Sequence, residues 1–162
     1  MKKTVWALMA TLVMSENIMA DDYKIMSSGM SLGVQKMDSL NSYEIGYYMM
    51  TGNEMRYGWE FNLGAISANS EDALDVIGDV SGRFGYAPLS NLDIYGTLGY
   101  GVQTFAGGAT SANGLVYGLA LHYGISNRVG VAIDYKKYDL NHDYFDLDYD
   151  ANAIGVKLNF TF

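Results

Sequence analysis

The chain has 162 residues, the size of one domain, with a formal net charge of −8 and no cysteine. The acidic charge disfavours nucleic acid as a partner, because phosphate binding needs a basic surface. The lack of cysteine excludes disulfides, thiolate nucleophiles and cysteine-ligated metals. Nineteen glycines and fourteen tyrosines against a single proline favour a strand-rich protein.

Residues 1–20 are predicted to be a secretory signal peptide. Lys2 and Lys3 precede the apolar run 5–14, and a more polar segment then ends at Ala20. The apolar run is too short to cross a bilayer as a helix. A short buried helix is the alternative, but it does not account for the two leading lysines. We therefore predict cleavage after Ala20, which leaves one domain over residues 21–162.

Alternation of apolar and polar residues with a period of two divides this domain into eight predicted strands. A tilted transmembrane strand needs about 9–11 residues, and each segment is long enough. The clearest is the last, where Ile154, Val156 and Leu158 alternate with glycine, lysine and asparagine. The predicted strands are 27–36, 42–50, 55–66, 74–86, 92–105, 114–124, 128–139 and 151–162.

The predicted connections also alternate in length. Those after the second, fourth and sixth strands are short and rich in turn residues. Those at 67–73, 106–113 and 140–150 are longer and polar, whereas the connection at 37–41 is short and breaks the trend. Short turns at one end and longer loops at the other are typical of an outer-membrane barrel, with the turns in the periplasm.

The face opposite the apolar one distinguishes a membrane barrel from a soluble lipocalin-like barrel or a β-sandwich. A solvated face would be rich in charged residues, but small residues dominate here and suit the inside of a narrow barrel. We therefore predict an all-β fold, an eight-stranded antiparallel up-and-down transmembrane β-barrel with lipid outside. The small residues are Gly46, Gly58, Gly64, Ser81, Gly85, Thr97, Gly99, Gly101, Gly118, Ala120, Gly130, Ala132, Ala153 and Gly155.

Aromatic residues cluster near the strand ends on the periplasmic side. We predict that they form a girdle at the membrane–water boundary, although core aromatics would give the same pattern. The predicted girdle consists of Tyr47, Tyr57, Phe84, Tyr86, Tyr123, Phe160 and Phe162.

Charged residues on the inward phase are predicted to form a network in the lumen. Near-balance of acids and bases is what a packed interior requires, because an unpaired buried charge is costly. We expect Arg83 to meet Asp93 across a turn and Lys157 to meet Asp134. These ions are interpreted as a plug, with an ion path as the alternative. The predicted network is Glu44, Arg56, Glu60, Asp79, Arg83, Asp93, Asp134, Lys136 and Lys157.

An enzyme that modifies lipid A would need a nucleophile and a base, and the base is usually a histidine. His122 is predicted to face inward, with Ser126 in the turn beyond it and Asp93 on the neighbouring strand. His122 and Ser126 are four residues apart and straddle a turn, which is poor spacing for a triad. We predict no enzyme activity, no catalytic residue and no cofactor.

The predicted loop around residues 139–150 is acidic and aromatic. Asp146, Asp148 and Asp150 would share one face of an extended segment and are a weak candidate for Ca²⁺ or Mg²⁺. The segment lacks the glycine and closing glutamate of a calcium loop. A solvated loop is therefore predicted, and a protein-binding patch or a divalent bridge to lipopolysaccharide phosphates are the alternatives.

A resemblance to a known family rests on four features of the sequence. They are the strand count, the Gly99-Tyr100-Gly101 run, the Phe84-Gly85-Tyr86 strand end and the terminal Phe162. The chain resembles the small eight-stranded outer-membrane barrels, the family of the OmpA membrane domain and OmpX-like proteins. The resemblance implies the outer membrane of a Gram-negative bacterium, with lipid and lipopolysaccharide as partners of a monomer.

The same resemblance implies an assembly signal at Phe160 and Phe162, read by the barrel assembly machinery. Lys157 stands where that signal favours glycine. The expected function is a structural or surface-interaction role in the envelope. The alternative is a narrow porin-like channel or carrier for small solutes.

Overall fold

The computed structural model describes residues 26–38, 40–67, 74–105, 110–142 and 148–162, so the predicted signal peptide lies outside the described residues. Each strand pairs antiparallel with the next, and β1 pairs with β8 to close the barrel. The predicted eight-stranded antiparallel barrel is confirmed. The strands are β1 Met26–Met37, β2 Leu40–Thr51, β3 Met55–Ser67, β4 Leu74–Leu89, β5 Leu92–Phe105, β6 Thr110–Gly124, β7 Val129–His142 and β8 Asp148–Thr161. Among the described residues, none forms an apolar helix of membrane-spanning length.

Several strands extend further than their side-chain pattern predicts. β6 begins at Thr110, and Asn141 of β7 still pairs with Asp148 of β8. Much of the predicted loop 140–150 is therefore strand. The prediction was wrong there because backbone pairing continues where the alternation of side chains fades.

Two connections depend on a positive φ angle. Gly52, between β2 and β3, has φ +104°, and a side chain there would collide with the backbone carbonyl of Met55. Asp38, between β1 and β2, has φ 49°, a conformation that aspartate tolerates better than most residues. Its Oδ1 accepts a bond from the Asn152 amide at 3.3 Å, and its own amide donates to the Asn152 carbonyl at 2.9 Å. The lack of a side chain at Gly52 and the two hydrogen bonds between Asp38 and Asn152 therefore explain the positive φ angles of these turns.

The two faces of the wall differ sharply. Large apolar side chains point outward in the middle of the strands, and Leu98 and Leu119 are 62% and 66% exposed. Their sequence neighbours point inward: Thr97 and Ala120 are both buried. This is the period of two that the sequence predicts, closed on itself into a barrel.

The interior changes along the barrel axis. We call the end with the β2–β3, β4–β5 and β6–β7 connections the turn end, and the opposite end the loop end. A loop-end cluster of buried apolar residues fills the lumen there, packed against Leu40 and Phe105. The cluster consists of Met37, Ile66, Ile77, Ala112, Val116, Tyr138, Leu140, Ala151 and Ala153.

The loop-end cluster corrects the prediction of a polar, charge-filled interior, because one end of that interior is apolar. Apolar residues stand on both phases at this end of the strands, as in Ala65 and Ile66 or Leu115 and Val116. The alternation that separates inward from outward side chains is therefore lost. Among the described residues, the fully buried charges occupy the middle of the lumen.

Candidate functional site

The middle of the lumen holds a central ion layer, formed by Glu44, Glu60, Asp79, Arg83, Asp134, Lys136 and Lys157. All seven side chains are buried. They come from β2, β3, β4, β7 and β8, whose inward phases meet at this depth. The layer contains two groups of ion pairs.

The first group joins Glu60 and Asp79 to Arg83 and Lys136. Lys136 Nζ lies 2.8 Å from Glu60 Oε1 and 3.0 Å from Asp79 Oδ1. Arg83 Nε donates to Glu60 Oε2 at 2.8 Å, and Arg83 Nη2 donates to the same oxygen. Asp79 also accepts from the hydroxyls of Ser81 at 3.1 Å and Tyr138 at 3.2 Å. Each carboxylate here is paired with a base, as a dry interior requires.

The second group joins Glu44 and Asp134 to Lys157. Lys157 Nζ lies 2.5 Å from Glu44 Oε1 and 2.9 Å from Asp134 Oδ2, so the predicted pair of Lys157 and Asp134 is present. Asn62 connects the two groups: its Oδ1 accepts from Lys157 Nζ at 3.1 Å, and its Nδ2 donates to Asp79 Oδ1 at 3.1 Å. The layer is therefore one continuous polar network across the barrel.

The predicted pair of Arg83 and Asp93 is wrong. In the β4–β5 register Arg83 stands opposite Thr97, whereas Asp93 lies beyond the point where the register shifts, near the turn. Asp93 Oδ2 instead lies 3.2 Å from Arg56 Nη1 and 3.2 Å from His122 Nδ1. β4 continues past Pro88, which the prediction placed in the turn, so the regular register alone sets Arg83 and Asp93 four residues apart along the axis.

Aromatic rings hold Arg83 from both sides. Its guanidinium carbon lies 4.6 Å from the ring centre of Tyr95 and 5.1 Å from that of Tyr48. Such cation–π contacts stabilise a buried guanidinium. The Tyr48 hydroxyl is itself hydrogen-bonded to Thr161 Oγ1 at 2.8 Å. Sequence analysis missed Tyr48 and Tyr95, although both stand on the inward phase.

A cavity of about 650 Å³ occupies the lumen at the turn end. Arg83 lines it, and Arg56, Asp93, His122 and Asn159 contribute polar walls. Asp93 pairs with Arg56 and His122, and Arg83 pairs with Glu60 of the central ion layer. The lumen thus has a water-accessible mouth at the turn end, a central ion layer and an apolar closure at the loop end.

The residues considered for catalysis serve the wall of this cavity and a turn. His122 Nδ1 contacts the Asp93 carboxylate, as described above. Ser126 Oγ accepts backbone hydrogen bonds from Arg128 at 3.3 Å and Val129 at 3.1 Å. The serine is therefore engaged in stabilising the β6–β7 turn.

The predicted girdle residues lie toward the turn end. Tyr57, Phe84, Tyr86 and Tyr123 are exposed on the outer surface. Tyr47, Phe160 and Phe162 are half-buried. Tyr47 packs on Trp59 with ring centres 5.6 Å apart, and the prediction missed Trp59.

A second set of outward tyrosines lies toward the loop end and was also missed. Its members could have been found from the outward phase of their strands. They are Tyr43 and Tyr100. Two further outward tyrosines, Tyr117 and Tyr135, lie near the middle of their strands, opposite Leu98 and Leu119.

The weak metal candidate of the acidic segment falls only partly within the described residues. Asp148 and Asp150 lie in β8 rather than in a loop, and Asp146 lies outside the described residues. Asp150 Oδ2 is 3.5 Å from Lys137 Nζ. Within the described ranges, no three acidic or histidine side chains group as metal ligands would.

The sequence model of the family described as "Outer membrane protein beta-barrel domain" matches residues 10–162. This chain belongs to that family. It is therefore an outer-membrane β-barrel protein, and the outer membrane is its location. No curated protein sequence matches the chain.

Solved structures of outer-membrane barrels share its fold. The attachment invasion locus protein Ail of Yersinia pestis, in complex with the heparin analogue sucrose octasulfate, is 15% identical with a TM-score of 0.55 over 85% of this chain and 97% of Ail. The N-terminal barrel of OprF from Pseudomonas aeruginosa is 11% identical with a TM-score of 0.61 over 84% and 97%. Neisserial surface protein A is 9% identical with a TM-score of 0.55 over 85% and 96%. At these identities the likeness establishes the fold alone.

Proposed function

We propose that this outer-membrane barrel is a non-conducting, non-enzymatic protein with a structural and surface-interaction role in the Gram-negative envelope. The observation that carries the proposal is the closed interior. The cavity opens at the turn end, and the central ion layer and the loop-end cluster fill the lumen beyond it.

The alternative, a narrow channel or carrier, needs a continuous polar path from one mouth to the other. In the loop-end cluster Ile66 and Leu140 are 0% exposed and Tyr138 is 1% exposed. An apolar constriction of this kind excludes water and ions. The central ion layer adds a second block, because its side chains are tied to one another across the lumen by ion pairs and hydrogen bonds. The plug interpretation is therefore favoured.

A non-enzymatic role is supported by the bonds of the candidate residues. A Ser-His-acid triad needs a hydroxyl within hydrogen-bond reach of the imidazole. Ser126 Oγ is directed to the backbone of its own turn, and Asp93 divides its contacts between His122 and Arg56. These contacts give Ser126 and Asp93 structural partners and hold His122 by Nδ1, and no hydroxyl bonds the buried Nε2 of His122 among the described residues.

Lipid and lipopolysaccharide are the proposed partners of the outer surface. The tyrosines toward both ends of the barrel suit the two membrane–water boundaries. Exposed acids at the loop end, among them Asp38, Asp139 and Asp150, disfavour a polyanion such as the sulfated ligand bound in the Ail structure. A divalent bridge to lipid phosphates would suit this acidic rim. We propose that the barrel acts as a monomer and that it does not bind nucleic acid.

Planar-bilayer recording of the refolded barrel tests the proposal. We expect no steady current from wild type, and none from a variant with Arg83→Gln and Lys157→Gln, because the loop-end cluster remains in place. A known porin in the same bilayer is the positive control, and folding is verified by the faster migration of the unboiled protein on a cold gel. Steady conductance of wild type whose ion selectivity changes in the variant would establish a channel instead.

A further inference from the structure

Lys157 brings an amine against a carboxamide inside the central ion layer. Its Nζ donates to Asn62 Oδ1 at 3.1 Å and lies 2.5 Å from Glu44 Oε1. Asp134 Oδ2 also contacts the same nitrogen, at 2.9 Å. Lys157, Asn62 and Glu44 are 3%, 2% and 6% exposed. A nucleophile, an acyl group and a base are therefore held together away from bulk water.

Two glycines allow this approach across the wall. β1 and β2 lie between β8, which carries Lys157, and β3, which carries Asn62. Lys157 pairs with Gly33 of β1, and Asn62 pairs with Gly46 of β2. A Cβ atom at Gly33 would lie 2.8 Å from Lys157 Cγ, and one at Gly46 would lie 2.6 Å from Asn62 Oδ1. Each side chain therefore leans over a glycine of the adjacent strand, and the two meet in the lumen.

Glu44 and Asp79 fix the two partners in place. Glu44 stands opposite Gly33 in the β1–β2 register, so Lys157 reaches over that glycine to the carboxylate. Asn62 Nδ2 donates to Asp79 Oδ1 at 3.1 Å. The nitrogen of the carboxamide is thus bound to Asp79, and its carbonyl oxygen faces the lysine. This is the arrangement in which Nζ lies next to the carbonyl group that it would attack.

We propose that Lys157 and Asn62 form an isopeptide bond, with Glu44 as the general base. Groups that are fixed in contact react as if they were present at very high concentration, which removes the entropic part of the barrier. A carboxylate within hydrogen-bond reach of the nucleophile can take its proton. All three requirements, contact, a base and the exclusion of water, are met at this one site.

The reaction needs no further reagent. Glu44 takes one proton from the Lys157 ammonium, and the neutral Nζ attacks Asn62 Cγ. The bond from Nζ to Cγ forms and the bond from Cγ to Nδ2 breaks. A second proton passes from Nζ to Nδ2, which leaves as ammonia. The first proton stays on Glu44, so that the charge of the layer is unchanged.

The other buried lysine of the described ranges lacks such a partner. Lys136 Nζ lies 2.8 Å from Glu60 Oε1 and 3.0 Å from Asp79 Oδ1. Both partners are carboxylates, and an ionised carboxylate resists attack by an amine. A carboxamide differs because its nitrogen can leave once it is protonated. The chemistry therefore distinguishes Lys157 from Lys136.

The link would close the barrel covalently. It joins β3 to β8 and so spans the closure between β1 and β8. A covalent link between distant residues restricts the unfolded chain, as a disulfide does. In a chain without cysteine, this bond would supply that restriction.

Peptide mass spectrometry of the full chain, extracted from the outer membrane of a Gram-negative host, tests the link. Trypsin cannot cleave after an acylated lysine. We therefore expect residues 57–83 joined to residues 138–162, at the summed mass of the two peptides less one ammonia. Recovery of peptides 57–83 and 138–157 only as separate species would overturn the proposal, whatever the variants show.

Two identical substitutions test the base, Glu44→Gln and its matched control Glu60→Gln. Both remove one buried carboxylate of the central ion layer, but only Glu44 contacts Lys157 Nζ in the structure. Folding of each variant is verified by the faster migration of the unboiled protein on a cold gel. We expect the linked peptide to disappear in Glu44→Gln and to persist in Glu60→Gln. Equal yields in the two folded variants would overturn the assignment of Glu44 as the base.

Discussion

Replacing Arg83 with methionine is expected to lower the free energy of unfolding by about 3–5 kcal/mol, the cost of breaking a buried ion pair from one side. Glu60 would lose two hydrogen bonds and retain only Lys136, and the rings of Tyr48 and Tyr95 would lose the guanidinium between them. Urea unfolding of the refolded barrel in lipid vesicles measures the change.

The control for this effect is Arg56→Met. Arg56 on β3 also pairs with a carboxylate, that of Asp93 on β5, but it is partly exposed at the mouth of the cavity. Its loss should cost about 1 kcal/mol or less, as for solvated ion pairs. The double variant Arg83→Met with Glu60→Gln should recover part of the loss, because Glu60 is then no longer a buried carboxylate that has lost its guanidinium partner. Equal costs for Arg56→Met and Arg83→Met would contradict the central ion layer as a dry network.

Replacing Leu119 with arginine is expected to cost about 2–4 kcal/mol in a lipid bilayer, the range for a cation on the lipid face at the membrane midplane. Leu119 lies in the middle of β6 and is 66% exposed on the outer surface. In the membrane this surface meets acyl chains, which cannot solvate a guanidinium. Urea unfolding in vesicles again measures the loss.

The matched control is Tyr123→Arg, on the same face of the same strand but near the turn end. A cation there reaches the headgroups, so the expected cost falls to about 0–1 kcal/mol. A cost for Leu119→Arg no larger than that for Tyr123→Arg would mean that the apolar face does not meet lipid at this depth.

The amino-acid sequence was sufficient to predict the barrel and its inward charges. Alternation in strands such as β8 is a local property of consecutive residues, and it identifies the two faces directly. The same parity places Glu60, Lys136 and Lys157 inside. It also predicts that Lys157 meets Asp134, since adjacent strands at similar heights bring them together.

The tertiary structure alone decided how the interior is divided. Arg83 pairs with Glu60 rather than Asp93 because β4 continues past Pro88, so that Asp93 lies four residues nearer the turn than Thr97, the residue opposite Arg83. The loop-end cluster could not be predicted, because apolar residues occupy both phases there. The pairing of acids with bases in the central ion layer depends on the closure of β1 on β8. That closure is a contact between strands far apart in the sequence. Local periodicity determines which way a side chain points, whereas its partner across the lumen depends on strand register and barrel closure, which are non-local.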